Sequence, residues 1–131
     1  MSLTLDEANR VIEAAIKKAQ ELDFEVSVAV VDIGGRLVAF GRMDEGVWAS
    51  IYGAIGKAVL SSAFGGRTES LEKIAETPIM KGIMEASGGG MVAAAGAVPL
   101  KKDGIVVGAV GVGGARGGVD VDIADAGAEA L

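Results

Sequence analysis

The stretch Asp103–Gly118, DGIVVGAVGVGGARGG, decides how the chain is read. It opens on an Asp-Gly turn signal, continues as a valine-rich apolar run and ends in a glycine cluster carrying one cation, Arg116. A β-branched run between turn signals reads as a well-buried strand. Gly108, Gly111 and Gly113 leave strips of that strand without side chains, so a helix, another backbone or a flat ligand can come close. The glycines beyond the strand offer free backbone N–H groups and unusual φ values. Two readings are open. One is a ligand cradle where the strand meets the last helix, built from Gly113, Gly114, Arg116 and Gly117. The other is close packing followed by a tight turn, and this stretch alone favours it.

Outward from the strand, Leu100–Gly104 connects it to a small-residue segment, Met91–Val98, which is expected to be a strand. Pro99 ends that strand or places it near an edge. On the other side the chain closes in a helix from Val119 or Asp120 to Leu131. Asp120 and Asp122 near its start suit the positive end of the helix dipole, and Gly127 signals close packing.

The N-terminal half starts with a capping box, Thr4-Leu5-Asp6-Glu7. Leu5, Ala8, Ile12, Ala15, Ile16, Ala19 and Leu22 recur at helical spacing, so a helix is expected from Thr4 to Leu22 with its charges solvated. Phe24–Ile33 reads as a strand, Gly34-Gly35 as a hairpin turn, and Arg36–Arg42 as the returning strand. Val47–Phe64 reads as a helix with Gly53 and Gly56 inside it, a sign that something packs closely there. Lys57 lies within this apolar helix. Such a lysine can neutralise an anion or act with a lowered pKa, and more often it snorkels to water. A short helix capped by Thr68 is expected over Glu69–Glu76, with Glu69 and Glu72 sharing a face. That pair is a weak metal signal. Thr77-Pro78 starts another helix, with an apolar stripe of Ile79, Met80, Ile83 and Met84.

Composition bounds the function. The 131 residues suit a single domain, 1–131, with a sizeable core made of small aliphatic groups. A formal charge of −6 argues against a nucleic-acid partner. Without Cys there is no disulfide or thiolate metal site, and without His the usual base, zinc ligand and proximal haem ligand are missing. No apolar run spans a membrane, and Met1 leads straight into a charged helix, so a cytoplasmic location is expected. Phosphate-binding, dinucleotide-binding and nucleophile-elbow motifs are all missing. Helix, two strands, two or three helices, two strands and a helix make an α+β pattern, a meander sheet carrying helices.

Taken together, the opening helix, Val28–Gly35 as VAVVDIGG followed by Arg36-Leu37-Val38, the lysine segment Ala54–Ala58, Pro78–Gly82 with Gly88-Gly89-Gly90, Pro99-Leu100 leading into Asp103–Gly114, and Ala126-Gly127 carry a resemblance over essentially the whole chain. The chain resembles the GlcG/HbpS-like haem-binding or haem-degrading family, which includes the C-terminal domain of PduO. The resemblance implies a profilin-like α+β fold with an antiparallel sheet of about five strands. It also implies a homo-oligomer, as large as an octamer, and haem or a related tetrapyrrole as a possible cofactor. The chain departs from the family's pattern at Gly96-Ala97, Gly113-Gly114 and Val119-Asp120-Val121, all near the cradle. With no His, an iron ligand would have to be Tyr52, Lys57 or a Met.

Two functions are therefore weighed. The first is a small-ligand-binding protein holding haem or a similar flat molecule. The second is a small catabolic enzyme or accessory protein for an anionic hydroxy- or oxo-acid or an aromatic-derived compound. In the second, Arg116 with Arg67 or Lys57 would hold a carboxylate, and Tyr52, Lys57 or an Asp would move the proton.

Overall fold

The computed structural model describes residues 2–131. Its elements run α1 (Leu5–Glu21), β1 (Ser27–Asp32), β2 (Leu37–Arg42), α2 (Ser50–Phe64), α3 (Thr68–Glu72), α4 (Pro78–Ala86), β3 (Ala97–Lys102), β4 (Ile105–Gly113) and α5 (Gly117–Glu129). The expected α+β class is borne out. The first predicted hairpin forms as expected and the second with its first strand shifted, from the expected Met91–Val98 onto Ala97–Lys102, most of which was read as connection. β1 and β4 join the two antiparallel into one sheet of order β2-β1-β4-β3.

Local signals account for the helix starts. In α1 the Thr4 hydroxyl accepts from the Glu7 N–H at 3.1 Å while Glu7 accepts from the Thr4 N–H at 2.9 Å. The buried stripe is Ala8, Val11, Ile12, Ala15 and Ala19; Val11 enters the core and Leu5 stays exposed. Pro78 is the first residue of α4, and Thr77 caps it.

Alternation along the strands gives the sheet two unlike faces. Val28, Val30, Val98, Leu100, Val110 and Val112 meet α1 and α5 in the larger core, with Ile123 and Ala124. Ala29, Val31 and Ala109 face α2 through Ala54 and Ala58. Gly111 and Gly113 share this second face. A side chain on Gly111 would run into Ala54 O and Ala58, and one on Gly113 would sit 2.7 Å from Ser50 O. The strip left by Gly111 and Gly113 is therefore where α2 lies down backbone to backbone, whereas Gly108 faces Val31 O and Leu3.

Several expectations need correction. The sheet has four strands among the described residues, one fewer than the family resemblance implies. Met91–Gly96 is irregular instead of extended; the chain crosses α2, Val92 N–H donates to Gly56 O at 3.1 Å, and Gly96 turns at φ 138. Val92 fills the space that a side chain on Gly56 would need, and this is why that helix glycine is there. Of the two placements open to Pro99, the edge is the one observed: it sits within edge strand β3 and does not end a strand. Thr68 is not a cap: α3 is only five residues long with Arg67 before it, and the buried Thr68 hydroxyl accepts from Ala97 N–H at 2.9 Å. The α4 stripe is mostly superficial, since Met80 alone is buried and Ile79 is 71% exposed. Among the described residues, no helix is long and apolar enough to cross a membrane.

Candidate functional site

The end of β4, the start of α5 and the first half of α2 enclose a surface groove of about 460 Å³. Its walls are small. Ala49, Gly53, Ala94, Ala95, Gly113, Gly114, Ala115 and Gly117 line it, and Lys57 and Asp120 supply charge at its floor. Absence of side chains makes the space: at Gly53 an added Cβ would meet nothing. Gly114 has φ 107, a left-handed conformation that lets the chain leave β4 and turn at once into α5.

Lys57 and Asp120 form a buried ion pair, Nζ to Oδ2 3.1 Å, with side chains 10% and 3% exposed. The ammonium also donates to Val112 O at 3.0 Å. The other carboxylate oxygen, Oδ1, accepts from Ala115 N–H at 3.1 Å. One cluster thus ties α2 to the last turn of β4 and the first turn of α5. Burial pushes the Asp120 carboxyl above the ordinary range, against the Lys57 ammonium and the Ala115 N–H, which pull it down. Two of the three ammonium protons of Lys57 have partners within this cluster.

The structure brings some of the predicted residues together and separates others. Lys57, Gly113, Gly114 and Gly117 share the groove. Gly113 also serves the packing of α2, so both readings of the glycine stretch apply at that residue. Arg116 precedes α5 as its exposed N-cap, without a side-chain capping bond. Arg67 lies elsewhere, in a forked pair with Asp125 at 2.8 and 2.9 Å and bonded to Glu69 at 2.8 Å. Those bonds raise its pKa further above an already basic value. Tyr52 is 66% exposed and stands edge-on to Trp48, ring centres 6.0 Å apart, on the outer side of α2.

The Glu69 and Glu72 carboxylates are turned to different partners. Glu69 takes Arg67, whereas Glu72 lines the groove and accepts from Ala95 N–H at 2.6 Å. No group of three or more acidic, His or Cys side chains is placed to hold a metal ion among the described residues. Ser50 is also committed: its hydroxyl donates to Val47 O at 2.6 Å and pairs with Ser27 at 2.7 Å.

Asp120 was legible only as a residue favourable to a helix dipole. Its role as the partner of Lys57, 63 residues away, has no local signal. The one available hint was that a lysine inside an apolar helix needs a counter-charge.

Comparison with known proteins adds a family. The family described as haem degrading protein HbpS-like matches residues 3–129. Protein GlcG of Escherichia coli K12 is 34% identical over 114 residues, 80% of this chain and 76% of GlcG. Corrinoid adenosyltransferase PduO of Citrobacter freundii is 28% identical over 126 residues, 95% of this chain. That match covers 38% of PduO, so the chain spans well under half the length of this relative. Among solved structures, the PduOC:heme complex superposes with a TM-score of 0.89 at 28% identity, covering 100% of this chain and 96% of that one. A double mutant of Streptomyces reticuli HbpS gives 0.88 at 31% identity, covering 100% and 88%.

Proposed function

This chain belongs to the HbpS-like family, and from that premise we propose that it binds haem or a related flat tetrapyrrole in the groove between α2 and the turn into α5. The observation that carries the reading is the likeness of the whole chain to the PduOC:heme complex. The groove suits such a ligand. Its volume lies within the range of small-molecule sites, and most of its lining is glycine and alanine, which lets a planar molecule come close. With no His in the chain, Lys57 carries the one side-chain nitrogen in the groove. Bound haem would supply iron redox chemistry. The chain's own contribution is to let the ligand lie close against Gly113, Gly114 and Ala115, beside a Lys57 ammonium held by Val112 O and Asp120.

A homo-oligomer, as large as an octamer, is part of the same proposal. Val47, Trp48 and Tyr52 stand together at the start of α2, each about two-thirds exposed, and a second copy would cover them.

Haemin titration of the purified protein tests the reading, with molar mass measured on the same samples. A saturable Soret shift at a fixed ratio per subunit is expected. Gly53→Leu should abolish it while the protein stays folded, because its Cβ enters open space and the rest of the side chain extends from there into the groove. A shift that never saturates, or one unchanged in Gly53→Leu, would remove the groove as the site.

A further inference from the structure

The Lys57–Asp120 pair lines a groove and is not sealed inside the core. We propose that Lys57 is a carbonyl-condensing nucleophile, forming an imine with a small aldehyde or ketone that enters the groove, with Asp120 carrying the protons. The proposal uses the same groove as the haem reading but does not rest on that reading, and haem and a carbonyl compound would compete for the space beside Lys57.

Four observations carry it. Lys57 is nine-tenths buried and yet lines an open groove, so a small molecule that enters the groove can reach a nitrogen most of whose side chain is out of water. Val112 O and Asp120 hold the nitrogen in place from two sides. The walls beside it are glycine and alanine, leaving room for a tetrahedral adduct. The other groove side chains with polar groups are committed or non-nucleophilic, since Ser50 bonds Val47 O and Ser27 and Glu72 bonds Ala95 N–H. Desolvation is one way a lysine amine is made ready to condense with a carbonyl, and Asp120 lies within reach to accept its proton.

The steps balance. Asp120 first takes a proton from the Lys57 ammonium, leaving a neutral amine. The nitrogen lone pair attacks the carbonyl carbon, the C=O π-bond breaks, and the alkoxide takes the proton from Asp120. Asp120 then removes a proton from the nitrogen and returns it to the hydroxyl, which leaves as water as the C=N bond forms. The sum is ammonium plus carbonyl giving iminium plus water, with Asp120 regenerated and no redox partner needed. Burial, which favours the protonated carboxyl, assists both proton pick-ups.

The test is reductive trapping with propionaldehyde and cyanoborohydride at neutral pH, without haemin, followed by peptide mass mapping over time. If Lys57 is activated, its peptide alkylates roughly tenfold or more faster than those holding Lys17, Lys73 and Lys81. Asp120→Asn should bring the Lys57 rate down to or below that of these surface lysines, with circular dichroism confirming that the fold persists. A purely structural ion pair makes the opposite prediction: in wild type Lys57 is the slowest lysine to react, and that result overturns the proposal whatever the variant does. Wild-type trapping at Lys57 that Asp120→Asn leaves unchanged would equally remove Asp120 from the chemistry. Trapping is read without haemin and the haem reading by its own titration, so failure of one is distinguishable from failure of the other.

Discussion

The two faces of the sheet solve the same packing problem in opposite ways. Toward α1 and α5 the strands present Val28, Val30, Val98, Leu100, Val110 and Val112, and the helices stand off on branched side chains. Toward α2 they present Ala29, Ala109, Gly111 and Gly113, and the helix backbone comes down onto the sheet. The first face is filled volume, whose stability scales with apolar area removed from water. The second is close approach, which leaves little room for any change in size. It also leaves a groove where β4 ends, because a wall without side chains cannot close over the space beside it. The groove is thus a by-product of the small face, and the valine face carries most of the core.

The sharpest way to break this contrast is to put a side chain on the small face. Gly111→Val would drive methyl groups into the α2 backbone at Ala54 and Ala58 and cost at least ~3 kcal/mol, so little folded protein should accumulate. Leu100→Ala on the opposite face creates only a cavity, and its urea midpoint should fall while the protein remains folded.

Next in size is the link between the faces. Lys57→Ala leaves Asp120 buried without its cation and should cost about 3 kcal/mol in urea unfolding. Combining Lys57→Met with Asp120→Leu should recover most of that loss, since an apolar pair of similar volume removes the unpaired charge.

The acidic limb of the pH profile distinguishes the interior pair from the edge. Asp120 has a folded pKa raised above its usual 3.8, so the folded state holds the proton more tightly. Its contribution is full below that usual value and is lost as pH rises through the raised one. Glu7 is the reverse case: the hydrogen bond from Lys102, with Nζ at 2.6 Å, and the Thr4 N–H hold its pKa down to about 2 from 4.5. Its contribution is full above 4.5 and is lost as pH falls toward about 2. On going from pH 7 to pH 3, the stability gap between wild type and Glu7→Gln should narrow. Over the same range the wild type should gain relative to Asp120→Asn. Urea midpoints across the range check both signs.

The smallest effects come from two glycines one turn apart on α2. Gly56→Ala meets Val92 and should destabilise by about 1 kcal/mol or more. Gly53→Ala meets nothing and should stabilise by up to ~1 kcal/mol, because alanine loses less backbone entropy in a helix. Thermal melts of the two should move in opposite directions.

Much of the fold was open to reading, because its signals are local. Thr4 and Glu7 announce α1, Gly34-Gly35 the first hairpin, Asp103-Gly104 the second, and Thr77-Pro78 the start of α4. Met91–Gly96 misled because alanine and glycine content does not say whether a segment pairs with a strand or crosses a helix, and Val92 bonded to Gly56 decides it. Arg67 and Arg116 both looked like anion holders, yet the guanidinium of Arg67 is taken by Asp125, a contact spanning 58 residues.

By itself the sequence determined the element types, the α+β class and the alternation of large and small residues along β1 and β4. Each depends on neighbours within a few positions, through capping, turn chemistry and a period of two or 3.6. Only the tertiary structure decided that the strands order as β2-β1-β4-β3, that the small face belongs to α2, and that Lys57 meets Asp120 at the floor of a groove. Those outcomes depend on contacts between residues tens of positions apart, where close packing and the cost of an unpaired buried charge select one arrangement.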